Sequence, residues 1–370
     1  MNLLVVGAGF AGACLARSLA EHGHNVHVID RRGHIGGNAY DEINSQDERI
    51  HLYGPHLLHG EKNSVAIKWL SQFTQWTPYE HRVLAQLSDG RFTPLPVNAT
   101  TLEDVYAVSL KSDQEAKLFL ESLQVIPREI SSSDDVFLAS VGEKLTDIFF
   151  RPYTKKMWGI DAKEIESAVG KRIPVRYNRD NRYFTDTFQK LPSRGYAHMF
   201  NNILDHKRIT IELCAEFRHE MLQRYDHSFL SLPIDKFFEY KHGKLPYRSI
   251  KFEHKLSKLS QPATVINFTD DSKYTRTTQW DLLPNSSRSN SGFSTQTLEV
   301  PCDPEENNGE NYYPVRNSAS LAMYQKYLDD TQSITNATFC GRTGLFQYLD
   351  MVPAVNIHLA MANNFIRLTK

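Results

Sequence analysis

The sequence predicts a mixed α/β chain whose first domain is a parallel nucleotide-binding unit interrupted by insertions. Three observations predict it. The first thirty residues run from an apolar strand through spaced glycines into an amphipathic helix and a second strand. The middle of the chain alternates helical stretches with period-2 stretches. The end returns to a strand, glycines and an apolar helix, as if completing the opening domain.

Residues 3–6 (LLVV) read as a short buried strand, and Gly7, Gly9 and Gly12 form G-x-G-x-x-G before a helical pattern that runs to about residue 21. A second strand at 26–29 ends on Asp30. The first glycine permits a tight turn, the second lets a pyrophosphate approach the backbone beside Phe10, and the third lets helix and strand pack closely. The helix N-terminus supplies donors and partial positive charge, and an acid at the end of the second strand accepts hydrogen bonds from ribose hydroxyls. Strand, glycines, helix and acid together define a Rossmann-type dinucleotide site. Arg31, Arg32 and His34 follow, then Gly36, Gly37 and Asn38. Glycines there bring a second backbone segment against the same ligand. A nicotinamide cofactor released at each turnover needs no second clamp. A retained one does, and the arrangement resembles flavoproteins in which an acid is followed shortly by GG, so FAD is favoured over NAD.

Further along, residues 63–73 are patterned as a helix, and 81–97 as a β-hairpin turning at Asp89-Gly90. Residues 101–145 alternate helical stretches with polar breaks, which suggests a small helical unit. Strands return in IKFEHKL and ATVINFT, whereas 281–311 is polar and rich in turn residues, and its middle reads as an exposed loop. Residues 339–366 pass from strand through glycines to an apolar helix.

The 370 residues carry a formal net charge of -1, so no long-range field points to nucleic acid or an anionic membrane. Any bound anion must be held by local arginines. No apolar run reaches the length of a membrane span, and no signal peptide is patterned at the N-terminus. Cys14, Cys214, Cys302 and Cys340 are scattered, without metal or disulfide spacing, as expected for reduced thiols in a cytoplasmic protein. No metal is expected.

Seven later stretches, in order, carry a resemblance: YGPHLLHG, FFRPYTKKMWG, KRIPVRYNRDNRYF, LPYRSIKF, NFTDDSKYTR, NYYPV and GRTGLFQYLDM. With the N-terminal glycines, they resemble the bacterial UDP-galactopyranose mutases nearly end to end. The resemblance implies a Rossmann-type FAD domain at 1–78, 190–240 and 312–370, a helical domain at 98–170 with a mobile loop at its end, and a twisted antiparallel sheet at 79–97, 171–189 and 241–311. It also implies a non-redox use of flavin. Reduced FAD attacks the anomeric carbon of a nucleotide-linked sugar through N5, and the sugar recloses in the other ring size with no net redox change.

The residue types agree with that chemistry. No Ser/His/Asp triad or zinc-spaced cluster is present in these stretches; arginine and tyrosine recur instead. A diphosphate leaving group needs cations that stay charged, and arginine offers them in a bidentate fork. By resemblance, Arg176 and Arg276 bind the diphosphate, and Arg248 lies near flavin and substrate. Tyr153, Thr154, Trp158, Asn267, His81, Tyr312 and Tyr348 line the substrate cleft. Phe149 and Phe150 help form the nucleoside pocket, though a buried helix face explains them nearly as well, and Phe188 stands where an aromatic stacks on uracil. His59 supports catalysis and His56 contacts the flavin, as do Arg342, Asp350 and Met351, with the following helix's N-terminus facing the flavin's pyrimidine edge. The loop between Trp158 and Arg176 is expected to close over the substrate, hinged at Gly159 and Gly170.

After Arg276, where the family usually continues Glu-His-Lys and an aromatic, this chain reads TTQWDLLPN, and Phe346 replaces a more usual tyrosine. UDP-galactose is the leading substrate, with the sugar open to an N-acetyl or a 6-deoxy sugar and the nucleotide open to one other than uridine. A flavin oxidoreductase and a silent nucleotide-sugar binding protein are the competing readings. The resemblance further implies a homodimer serving polysaccharide synthesis.

Overall fold

The structure is a computed structural model that describes residues 1–171, 174–287 and 292–369. Part of the expected mobile loop (172–173) and of the expected exposed loop (288–291) lies outside the described residues.

A five-stranded parallel sheet, in the order Ile209–Leu213, Asn25–Asp30, Asn2–Val6, His227–Leu230, Ala337–Phe339, forms the nucleotide-binding unit. Both faces are covered, which explains the unbroken LLVV run. Leu3 and Val5 enter one core with the helices Phe10–Glu21, Tyr196–Leu204 and Met351–Leu368, while Leu4 and Val6 enter another with Leu230, Ile234 and Tyr327. The strand Ala337–Phe339 and the helix Met351–Leu368, near the end of the chain, pack in this unit with the first strand and helix.

A seven-stranded sheet runs Tyr313–Pro314, Tyr247–Ser257, Ser294–Cys302, Arg276–Gln279, Val265–Phe268, Val83–Gln86, Phe92–Leu95. It is antiparallel except where Val265–Phe268 pairs with Val83–Gln86 in parallel. Two expected boundaries cut through structure. Tyr313–Pro314 belongs to this sheet, beyond the expected break at 312. Phe188–Pro192 spans the break at 189/190 and forms a three-stranded sheet with Leu58–Gly60 and Trp76–Pro78.

The expected exposed loop is also corrected. Ser294–Cys302, in its middle, is an interior strand with Ser294, Thr295, Gln296, Thr297 and Glu299 buried. Several of their polar groups are partnered internally: Thr295 N–H donates to Glu48 Oε2 at 2.8 Å, and Thr297 Oγ1 accepts from Trp280 Nε1 at 2.7 Å. Hydropathy reads such a strand as surface because partnered polar side chains replace apolar ones.

The helices Ala99–Tyr106, Asp113–Leu123, Ser133–Leu145 and Arg151–Trp158 form a third unit around Leu102, Leu120, Phe137, Val141 and Phe150. Lys156 ties it to the seven-stranded sheet by donating to the carbonyls of Phe268, Asp270 and Tyr274 at 3.1, 2.9 and 2.8 Å. Among the described residues, no helix is long and apolar enough to cross a membrane.

Candidate active site

Two glycine segments build one backbone cradle at the end of the first strand. A Cβ on Gly12 would fall 1.8 Å from the Gly7 carbonyl oxygen, so helix and strand meet at a distance only glycine allows. A Cβ on Gly37, whose φ is +55°, would sit 3.0 Å from the Gly9 Cα. The segments are joined by Gly36 N–H donating to the Ala8 carbonyl at 2.9 Å. Asp30 braces both: Oδ2 accepts from Ala8 N–H at 2.7 Å and Oδ1 from Arg32 N–H at 2.9 Å. A carboxylate has about four lone-pair sites, which leaves capacity for ribose hydroxyls. No side chain caps the helix Phe10–Glu21 at Gly9, so its first amides remain donors for an anion. This close approach, uncapped helix and acid fit a dinucleotide. Around the rim, Glu310 pairs with Arg31 and Arg32, both at 2.6 Å, and Arg32 donates to Asn38 Oδ1 at 2.9 Å. Phe10 does not line the cradle face: its ring packs edge-on to Phe200, centroids 4.8 Å apart.

The histidines separate by environment. His56 contacts the Gly54 carbonyl through Nδ1 at 2.9 Å, and its amide donates to His51 Nδ1 at 3.0 Å. Burial pushes the pKa values of His51 and His56 down to about 3, so both are neutral near pH 7. His81 is likewise pushed down to about 3, by burial first and then by Arg276 and His59. His59 lies on the strand Leu58–Gly60, with Nδ1 2.9 Å from Asp186 Oδ2 and its ring stacked on Phe184.

Arg276 opens the strand Arg276–Gln279, directly opposite Asn267 on one neighbour and Glu299 on the other. The three polar residues thus form one lateral row across the sheet. Arg276 Nε lies 2.7 Å from Glu299 Oε2, and Glu299 is buried. Burial opposes the guanidinium charge, but Glu299, then Tyr153, outweigh it and raise the pKa. Burial in turn raises the phenols of Tyr153, Tyr183 and Tyr313, all of which feel the Arg276 charge. The site therefore holds a fixed cation ringed by neutral phenols, a donor array suited to a phosphate-bearing ligand.

Other expected residues are placed differently. Tyr312 is buried near Tyr53 and Phe252. Its neighbour Tyr313 stacks on Tyr348, with Arg342 lying over both rings at 5.5 and 4.8 Å. Adjacent strand residues point to opposite faces, so the cleft position in NYYPV is Tyr313. Phe188 is buried against Trp76 in the nucleotide-unit core, and Tyr183 is the aromatic beside Arg276. Phe149 and Phe150 lie in the helical core, Phe150 stacked on Phe137, and Thr154 is buried beside them on the next helix.

Arg248 donates from Nε to the Met157 carbonyl at 3.1 Å and pairs with Asp303, thereby securing the end of the helix Arg151–Trp158. Arg176 is turned onto its own loop, donating to the carbonyls of Asp180 (2.8 Å), Arg182 and Tyr183 (3.3 Å). Arg342 holds the carbonyls of Tyr312 and Leu349 at 3.0 and 2.9 Å. Asp350 is the N-cap residue of Met351–Leu368, and Met351 packs on the nucleotide-unit core. Trp158 and Tyr348 share a cavity of about 110 Å³ with Val169, Pro314 and Arg316. Sequence reasoning missed Tyr183, Tyr313, Glu299 and Asp186. Cross-strand register is the signal that finds Glu299, opposite Arg276; Tyr183 and Asp186 lie in the segment before the strand Phe188–Pro192, where no periodic pattern marks them.

A dinucleotide cradle beside a buried cation and tyrosines defines a cofactor-dependent enzyme for a phosphorylated, hydroxyl-rich substrate. Residues 148–348 match the family model described as UDP-galactopyranose mutase, and residues 5–73 match an NAD(P)-binding Rossmann-like domain. The chain is 36% identical to a protein named "Probable UDP-galactopyranose mutase" from Klebsiella pneumoniae, over 99% of this chain and 94% of that one. It is 34% identical to a dTDP-fucopyranose mutase of Escherichia coli, over 100% and 99%. A crystal structure of reduced UDP-galactopyranose mutase shares its fold, with a TM-score of 0.76 at 17% identity, covering 99% of this chain and 94% of that one. The chain belongs to the UDP-galactopyranose mutase family and is an isomerase of the mutase type.

Proposed function

We propose that this chain is a flavin-dependent mutase that interconverts the pyranose and furanose forms of a nucleotide-linked sugar, with UDP-galactose the leading substrate. The single observation that carries the reading is Arg276, kept charged in a buried site by Glu299 and surrounded by Tyr153, Tyr183 and Tyr313. Such a group binds a diphosphate both as substrate and as leaving group, and water cannot replace its role in a closed cleft.

Gly9, Gly37, Asp30 and Asn38 would hold FAD, with His56, Arg342 and the N-terminus of Met351–Leu368 toward the flavin end. When bound and reduced, the flavin supplies the nucleophile for the anomeric carbon. The protein's own residues orient the sugar against it, neutralise the departing diphosphate and exclude water. Arg176 joins Arg276 on the diphosphate after leaving the carbonyls it now binds. A homodimer in the cytoplasm, supplying furanose units for polysaccharide synthesis, completes the reading.

A 6-deoxy sugar on dTDP is the second substrate reading, supported by the near-equal identity to the dTDP-fucopyranose mutase and by the TTQWDLLPN stretch after Arg276. The test is to reduce the purified flavoprotein with dithionite and offer UDP-galactopyranose and dTDP-fucopyranose separately, following furanose formation by chromatography. Furanose from UDP-galactose, dependent on reduced flavin, is the expected result. Furanose from the dTDP sugar alone moves the assignment to the second reading. Absence of furanose from both, with reduced FAD bound, overturns it.

A further inference from the structure

On the mutase reading, exchanging one ring form for the other moves a proton within the sugar. As the bond from C1 to the ring oxygen breaks, that oxygen gains a proton. As the 4-hydroxyl oxygen bonds to C1, it loses one. No net proton or electron is consumed, so one carrier that gives a proton to the ring oxygen and regains it from the 4-hydroxyl suffices.

We propose that Asp186 is a positioning residue that holds His59 as the Nδ1–H tautomer, leaving Nε2 to carry this proton. The arrangement is built from several independent restraints. Asp186 Oδ2 lies 2.9 Å from His59 Nδ1, and a carboxylate accepts, so Nδ1 donates. The ring is clamped by Phe184, centroids 3.6 Å apart and planes 11° from parallel. The turn carrying Asp186 is pinned in turn. Gln189, directly opposite His59 in the antiparallel pair, donates from Nε2 to the carbonyls of Phe184 and Asp186 at 3.1 and 3.2 Å. Among the described residues no protein group bonds His59 Nε2, and 26% of the side chain stays exposed. The Phe184 ring that clamps His59 also lies 6.1 Å from the His81 ring and 5.1 Å from the Tyr183 ring, so the imidazole adjoins the cleft. A partly exposed pair of this kind contributes only about 0–1 kcal/mol to stability, so these restraints serve orientation more than stability.

The test uses the holoenzyme labelled with ¹⁵N-histidine, the His59 signals being assigned by their loss in His59→Gln. In the wild type at pH 8, neutral His59 carries its proton on Nδ1. In Asp186→Ala it shifts toward Nε2–H, and kcat falls about tenfold or more with KM unchanged within about twofold. Asp186→Asn, which keeps an acceptor oxygen, retains the tautomer and recovers part of kcat. A wild-type His59 protonated on Nε2, or an Asp186→Ala enzyme with full kcat, overturns the proposal while the mutase reading stands. A wild-type protein that turns over no nucleotide sugar removes the mutase reading, and the proton role with it.

Discussion

The cofactor cradle and the substrate cleft are built from different materials. In the cradle the backbone carries the function: Gly7, Gly9, Gly12 and Gly37 matter for what they lack, and one side chain, Asp30, braces the two segments. In the cleft the backbone is only a grid, and function rests on which side of a strand each arginine and tyrosine emerges. A backbone-built site tolerates no added atom, whereas a side-chain-built site is sensitive to chemical identity at a few atoms.

That contrast can be broken or sharpened experimentally. The largest effect is expected for Gly12→Ala, whose methyl would collide with the Gly7 carbonyl. We expect about 3–5 kcal/mol lost in denaturant unfolding or no folded protein, and a variant that keeps its stability would refute the close-packing argument. Arg276→Ala strands the buried Glu299, so turnover should fall about 10²-fold or more and stability by about 3–5 kcal/mol. Glu299→Gln with Arg276→Ala should recover stability but not turnover.

A third comparison sets Phe188→Ala against Tyr183→Ala. The first should cost about 3–5 kcal/mol in thermal or denaturant unfolding, and the second should chiefly raise KM. The adjacent tyrosines give a smaller contrast, with Tyr313→Phe losing about tenfold in kcat/KM and Tyr312→Phe remaining within about twofold. Equal losses would remove the assignment of opposite faces.

The last contrast concerns pH. His81 has its folded pKa pushed down to about 3 from an ordinary 6.5. Its contribution to stability is therefore complete above pH 6.5 and is lost as pH falls from there toward 3, because the unfolded chain takes up the proton first. Replacing it with Gln should flatten the acid side of a stability–pH curve by about 1.4 kcal/mol per pH unit.

Much of this was legible in the sequence, for reasons that follow the same contrast. Glycine spacing and an acid at a strand end report backbone constraints locally, so Gly7 to Asp30 and Gly37 were found where the cradle lies. The return of the chain to its first sheet was legible because the last strand and the helix Met351–Leu368 are continuous apolar patterns. The strand Ser294–Cys302 was not, since its burial is satisfied by hydrogen bonds between distant segments rather than by hydrophobicity. Tyr312 was chosen over Tyr313 on resemblance, and two adjacent tyrosines beside a two-residue edge strand give no pattern in the sequence that tells their faces apart. Phe188 was chosen because the resemblance puts a uracil-stacking aromatic there, and only the pairing of Phe188 with Gly60, not visible in the sequence, sends it inward. Asp186 became visible only once two strands brought it beside His59.

The inward turn of Arg176 has a selective consequence. Three of its five N–H donors, on both terminal nitrogens, are already held by neutral carbonyl oxygens, so an anion gripped by that fork displaces existing bonds rather than filling an empty socket. Bonds to charged oxygen are roughly twice as strong as neutral ones, and the exchange becomes favourable in proportion to the charge delivered. On the mutase reading, the loop is thus a threshold detector: a nucleoside or a free sugar leaves it at rest, and a full diphosphate trips it.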